Sequence, residues 1–265
     1  MPNSSTQTAL VTGASGGIGY ELAKLFAQDG INLVLVARRK PLLDQIKADF
    51  EQQYGIRVTC LEADLAAPGQ AAAVYQHCQA QQLTLDYLVN NAGYGSFKDV
   101  AQEDAALYEN MLSLNILALT TLTTLVARDM VARRAGRILN VGSTSAFQPV
   151  PHMAVYGASK SYVMHFTEAL HAELRSTGVT ATVLSPGVTA TGFLARADMG
   201  RWAGAQGKLL DAAAVAQAGY QGMMRGQLNV VPGWKNKLLA WGIGLVPSRR
   251  LKLAMSARFM QEGRG

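Results

Sequence analysis

The sequence predicts an α/β fold: a doubly wound, three-layer α/β/α sandwich around a mostly parallel sheet of about seven strands. Two observations predict it. The apolar runs are short and carry Val, Ile and Leu on successive residues, as strands buried on both faces of a parallel sheet do. They alternate with amphipathic stretches of helical length, which implies repeated βαβ crossovers. With 265 residues, 49% hydrophobic and 16% charged, the chain can bury one large core, and it reads as a single domain over 1–265.

In chain order, the strands read ALVT (9–12), NLVLVA (32–37), RVTCLEA (57–63), LDYLVN (85–90), GRILNV (136–141), VTATVLS (179–185) and LNVVP (228–232). Helical patterns fall between them at 17–29, 39–54, 68–82, 103–134, 155–177 and 211–226. In such a sheet a ligand is expected at the carboxyl ends of the strands.

Composition excludes several function classes. Cys60 and Cys78 form no CxxC pair, no metal-ligand spacing and no disulfide framework, so no metal is expected. The N-terminus MPNSSTQT is polar and runs directly into the first strand, without the apolar region of a signal peptide. No apolar run approaches the roughly 18 residues of a membrane span; LLAWGIGLV (238–246) comes nearest. A cytoplasmic location is the expectation. The net charge is +6, but from residue 225 onward the chain has eight basic residues and one acid, Glu262. The positive charge therefore belongs to the tail, and a nucleic-acid partner is not expected.

The stretch VTGASGGIG (11–19) admits two readings. Gly13-Ala14-Ser15-Gly16-Gly17 matches the G-x-S-x-G turn that exposes a hydrolase serine. Gly13, Gly17 and Gly19 also form a glycine-rich turn of the kind that cradles a pyrophosphate. A hydrolase turn follows a central strand with several strands before it, and here the turn follows the first strand. Of the candidate histidines, His165 and His171 fall inside one helical pattern and His152 in a loop. The pyrophosphate reading is preferred.

Further segments extend that reading. NNAG (90–93) follows the fourth strand, Asp64-Leu65 the third, and SPGVTATGF begins at the end of the sixth. Tyr156 and Lys160 in YGASK are four residues apart, on one face of a helix. Ser143 ends the strand RILNV thirteen residues before Tyr156, and Asn115 is a lone amide in the apolar run SLNILAL. Together these resemble the short-chain dehydrogenase/reductase family through about residue 232, with its Rossmann-like fold and its T-G-x-x-x-G-x-G turn at Thr12, Gly13, Gly17 and Gly19.

The resemblance implies a catalytic set of Asn115, Ser143, Tyr156 and Lys160. Tyr156 would be the general acid/base, its phenol pulled below its ordinary value of about 10 by the Lys160 ammonium. Ser143 would donate to the substrate oxygen, and Asn115 would hold a water in a relay through Lys160. The implied cofactor contacts are Gly13, Ser15, Gly17, Ile18 and Gly19 in the loop, and Asp64 with Leu65 at the adenine. Asn91, Ala92 and Gly93 would lie beside the adenine ribose, and Tyr156 and Lys160 would contact the cofactor as well. Pro186, Gly187, Val188 and Thr191 would complete the site. For Asp64-Leu65 a strand-end cap remains an equal alternative.

NAD-specific members place an acid at the end of the second strand. Here VLVARRK puts Ala37 in that slot, followed by Arg38 and Arg39. Two guanidiniums suit a 2′-phosphate, so NADP(H) is expected over NAD(H), with Arg38 the stronger contact.

The expected reaction interconverts a carbonyl and an alcohol on a hydrophobic small molecule. The expected substrate pocket is Tyr94, Ser145, Phe147, His152, Met153 and Phe193. Residues 190–212 read as a mobile lid. A cofactor-binding scaffold without turnover is disfavoured by the complete catalytic set. An enoyl reductase of the same fold is disfavoured because its Tyr and Lys are separated by six residues rather than three. The tail 233–265 reads as a basic amphipathic helical extension. A hairpin covering the pocket or a subunit contact is preferred for it over a weak membrane-surface contact. Family members are commonly dimers or tetramers built on their long helices, so a homodimer or homotetramer is expected.

Overall fold

The computed structural model describes residues 7–205 and 209–261. Residues 206–208 of the expected lid and 262–265 of the expected tail lie outside the described residues.

The strands are β1 (Thr8–Thr12), β2 (Asn32–Ala37), β3 (Val58–Glu62), β4 (Tyr87–Asn90), β5 (Gly136–Val141), β6 (Val179–Leu184) and β7 (Asn229–Val230). They form one sheet in the order β3-β2-β1-β4-β5-β6-β7. All six pairings are parallel. The sequence patterns ran one or two residues beyond the assigned strands at β3, β4, β6 and β7, where backbone hydrogen bonds such as Asp86 N–H to Thr8 O and Ser185 N–H to Val230 O continue past the strand ends. The order reverses between β1 and β4, and that is where a crevice opens at the carboxyl ends.

The helices before β4 are α1 (Gly17–Gln28), α2 (Lys40–Tyr54) and α3 (Gln70–Ala80). The central strands bury both faces, and their alternate residues feed two cores. Ala9, Val11, Leu33, Leu35 and Val89 pack with Phe26 of α1 and Phe50 of α2. The Phe26 ring lies 4.9 Å from Tyr220 and 5.2 Å from Tyr87. Leu10, Val34, Leu88 and Ile138 face the other way, against Val74 of α3 and Leu122, Val126 and Met130.

The helix expected over 103–134 is not uniform. A 3-10 turn at Val100–Gln102 precedes α4 (Ala105–Leu112), which Asp104 caps by accepting from the Ala106 N–H. A π-helical stretch at Ser113–Ala118 then leads into α5 (Leu119–Ala132). Such a local widening commonly marks a functional site, and it contains Asn115. Ala105–Ala132 is long and apolar enough to match a membrane span by length and composition alone. Its Leu119, Leu122, Val126 and Met130 face is instead built into the core.

After β5 come a 3-10 turn at Thr144–Phe147 and α6 (Ala154–Glu173). The described part of the lid segment folds as α7 (Gly192–Arg196) and α8 (Gly200–Ala205), followed by α9 (Ala212–Met224). The tail forms α10 (Trp234–Leu245) and α11 (Arg249–Gln261). Met199 and Trp202 of the lid, Met260 of α11, and Tyr94, Met111 and Tyr156 make a third apolar cluster above the sheet.

Candidate active site

The loop after β1 is shaped by its glycines. Gly13 has φ +65°, and a Cβ on Gly19 would lie 2.3 Å from Asn91 Nδ2 and 2.5 Å from Gly13 O. Any larger residue at 19 would separate the loop from the end of β4. Thr12 makes the join. Its Oγ1 accepts from the N–H groups of Asn91 and Ala92, each at 3.0 Å, and Asn91 Nδ2 donates to Thr12 O at 3.0 Å. The N-terminus of α1 has no side-chain cap and no acid in its first turn.

Arg39, at the start of α2, reaches this loop. Its Nη2 donates to Ser15 Oγ at 3.1 Å and to Ser15 O at 3.2 Å. Arg38 lines the same cleft without a hydrogen bond to the loop. Arg39 thus contacts the glycine loop directly, and both arginines line the cleft. Asp64 also lines the cleft, and its Oδ1 accepts from the Ala66 N–H at 3.1 Å as a strand-end turn cap.

On the opposite wall, Lys160 Nζ donates to Val141 O at 2.7 Å, which ties α6 to the end of β5. The same Nζ lies 5.8 Å from the centre of the Tyr156 ring. Ser143 Oγ accepts from the Ser145 N–H at 3.1 Å, leaving its own hydrogen to donate elsewhere. Asn115 Oδ1 accepts from Tyr94 N at 3.2 Å, and Nδ2 donates to Tyr94 O at 3.0 Å and Ser159 Oγ at 3.1 Å. A Cβ on Gly93 would touch both Asn115 Oδ1 and Lys160 Nζ, so these two groups flank the NNAG turn.

A cleft of about 590 Å³ brings most of the expected residues together. Gly13, Ser15, Gly17, Ile18, Leu65, Asn91, Ala92 and Gly93 line one side, with Arg38, Arg39 and Asp64. Ser143, Ser145, Phe147, Met153, Tyr156 and Lys160 line the other, with Pro186, Gly187, Val188, Thr191 and Phe193. Thr191 Oγ1 also accepts from Phe193 N at 3.3 Å as the N-cap of α7.

Four expected residues are not in the lining. Gly19 and Asn115 stand behind it in the contacts just described. Tyr94 is a correction. Its ring is buried, its hydroxyl is bonded to Asn110 Oδ1 at 2.8 Å and Leu107 O at 3.0 Å, and the Arg196 guanidinium covers its ring at 3.9 Å. His152 is another. It sits at φ +64°, and its Nδ1 is hydrogen-bonded to Asp99, so it pins two loops.

A family model described as short chain dehydrogenase matches residues 7–201. The chain belongs to the short-chain dehydrogenase family. A very-long-chain 3-oxoacyl-CoA reductase from Anas platyrhynchos is 35% identical over 190 residues, covering 69% of this chain and 60% of the relative. The chain thus matches about 60% of the length of that curated relative. A solved short-chain dehydrogenase from Sphingobium yanoikuyae, in complex with NADPH, is 33% identical with a TM-score of 0.82, covering 90% of this chain and 94% of that one. The bulky-bulky ketone specific alcohol dehydrogenase from Comamonas testosteroni is 28% identical with a TM-score of 0.76, covering 95% and 92%.

Burial shifts the protonation of both Tyr156 and Lys160. It pushes the Tyr156 phenol up to about 12, against a smaller downward pull from the Ser143 hydroxyl beside it. It brings the Lys160 ammonium down to about 8. The sequence expectation of a lowered phenol is therefore corrected. The charged form of each group loses more hydration than its neighbour restores.

The sequence offered a lid over 190–212 and a pocket-covering hairpin in the tail, but not the residues that roof the cleft. Trp202 of α8, Leu239 and Ile243 of α10, and Phe259 and Met260 of α11 all line it. Their only sequence signal was apolar residues recurring among cations in the tail, which does not reveal which side faces inward.

Proposed function

We propose that this protein is an NADP(H)-dependent oxidoreductase that interconverts a hydrophobic ketone or aldehyde and its alcohol. The observation that carries the reading is the convergence of Ser143, Tyr156 and Lys160 on one wall of a cleft whose other wall is an uncapped helix N-terminus behind a glycine loop.

The residues present fit a dinucleotide. The free N–H groups of α1 and the close backbone approach at Gly13 and Gly19 suit a pyrophosphate. Arg38, Arg39 and Ser15 would hold a 2′-phosphate, and no acid stands at the end of β2 to repel it. Asp64, Leu65 and Asn91 to Gly93 would hold the adenosine half, and Pro186 to Val188 the other half. The NADPH named with the Sphingobium protein supports the same preference. When bound, the nicotinamide supplies or accepts the hydride.

The protein's own groups manage the oxygen. With its pKa near 12, the Tyr156 phenol carries its proton at neutral pH and delivers it to a carbonyl oxygen in the reductive direction. Ser143 Oγ accepts from the Ser145 N–H, which leaves its hydrogen available to donate to the same oxygen. Below about pH 8 the Lys160 ammonium is charged and opposes the negative charge left on Tyr156. Asn115 positions Tyr94 and Ser159 behind this pair. Phe147, Val150, Met153, Phe193 and Trp202 supply an apolar substrate wall. The names of the acyl-CoA and ketone relatives favour a bulky substrate. The exposed Leu117 and Tyr162 suit a subunit contact through the long helices.

A panel of aldehydes, ketones, quinones, steroids and 3-oxoacyl thioesters, followed by NADPH absorbance, tests the reading. Turnover of one class, abolished by Tyr156→Phe with NADPH binding retained, is expected. No turnover of any class, or turnover unchanged in Tyr156→Phe, overturns it.

A further inference from the structure

The outer face of the C-terminal hairpin is apolar where a water-facing surface should be polar. Nine of the fifteen large apolar side chains left exposed among the described residues lie between Trp234 and Phe259. On α10, Trp234, Leu238, Trp241 and Leu245 are spaced four, three and four residues apart, which is one helical stripe, with Leu239 beside it. Trp234 is 72% exposed and Trp241 65%. On α11, Leu251, Met255 and Phe259 recur every four residues on another exposed stripe.

The hairpin is seated, not loose. Ile243, Ser256 and Met260 are buried, and Asn236 Nδ2 donates to Pro232 O at 2.9 Å while its amide packs against Gly187. The inward face is thus already used, and the exposed stripes are an additional surface. Lys235, Lys237, Arg249, Arg250 and Lys252 accompany them, and residues 226–261 contain no aspartate or glutamate.

We propose that the outer face of α10–α11 docks on an anionic lipid bilayer. Large aliphatic and indole side chains interleaved with cations, without an acid, match the acyl–headgroup boundary. A second copy of this chain fits poorly, because a two-fold contact through this face would oppose cation to cation. Nucleic acid would leave the aliphatic stripes unburied. Phe259 and Leu239 join the two sides. Phe259 meets the Trp202 ring edge-on at 5.5 Å inside the cleft, yet is 41% exposed, and Leu239 lines the cleft while 48% exposed. Docking would therefore set the roof of the cleft against the lipid.

The test does not depend on catalysis, so its result and that of the functional reading separate. Wild type, Trp234→Glu/Trp241→Glu and Lys235→Glu/Lys237→Glu are co-sedimented with vesicles of phosphatidylcholine alone or mixed with phosphatidylserine. Depth is read by quenching of tryptophan fluorescence with brominated lipid. The expected result is wild-type binding to the mixed vesicles, weakened by salt, with quenched fluorescence, and at least a tenfold loss in each variant. The substituted side chains are exposed, and circular dichroism confirms that each variant is folded. Absence of binding at low salt, binding without quenching, or equal binding by the tryptophan variant overturns the proposal. So does an oligomer that the tryptophan variant dissociates while vesicle binding is absent.

Discussion

Thr12 Oγ1 accepts hydrogen bonds from two successive backbone N–H groups, those of Asn91 and Ala92, each at 3.0 Å. One hydroxyl at the end of β1 thereby sets the height of the turn after β4, and the two turns form one wall of the cleft. Thr12→Val keeps the shape and removes the acceptor. Unfolding free energy is expected to fall by about 1–3 kcal/mol for each N–H left unpaired, with weaker dinucleotide binding. Thr12→Ser should restore both in denaturation and cofactor titration.

Tyr156→Phe removes the only proton that the phenol can deliver. Turnover should fall by about 10²-fold or more, while NADPH binding measured by fluorescence stays within twofold, since the ring and its packing on Phe193 at 5.2 Å remain.

Arg39 and Arg38 separate by their contacts. Arg39→Ala loses the bond to Ser15 and removes a proposed 2′-phosphate contact, so it should weaken NADPH by roughly ten- to a hundredfold, as expected for one charged hydrogen bond. Arg38→Ala should have the smaller effect. NADH affinity should change little in either, and titration of all four pairs decides the ranking.

Lys160 makes stability depend on pH. Its folded value near 8 is below its ordinary 10.5, so between these the unfolded chain binds more protons. The contribution of this group to stability rises with pH across that window and is lowest below it. Relative to Lys160→Met, wild type should gain about 2–3 kcal/mol from pH 8 to pH 10 in urea unfolding. A flat difference would show that Lys160 is not desolvated.

Asn115→Ala leaves Tyr94 N and O without their partners in a buried site. A loss of about 1–3 kcal/mol is expected. Serine at the same position, too short to reach both groups, should not restore it.

The positions of the strands along the chain were legible because buried parallel strands need continuous apolar runs, but their order in the sheet follows from no local pattern. The placement of Tyr156 and Lys160 on one wall of the cleft was legible because spacing on a helix fixes which side chains share a face. Asn115 drew notice as an amide among apolar residues, but its partners, Tyr94 and Ser159, come from two other segments and follow from no local pattern. Tyr94 and His152 were misplaced for a related reason. An aromatic or a histidine beside a turn reads as pocket lining, and only the packed structure shows that Asn110 and Asp99 claim them. The π-helical stretch left no signal, since its composition matches that of the helix around it.

The reversal of strand order between β1 and β4 divides the determinants along the chain as well as in space. Every arginine proposed to choose the cofactor lies before residue 40, and every group proposed to handle the substrate oxygen lies after residue 142. On the proposed roles, the determinants of cofactor choice and of substrate choice occupy separate stretches of the chain. A recombination point in α3 would exchange one without rewriting the other, so a lineage with this fold can change its reductant and its substrate in independent steps.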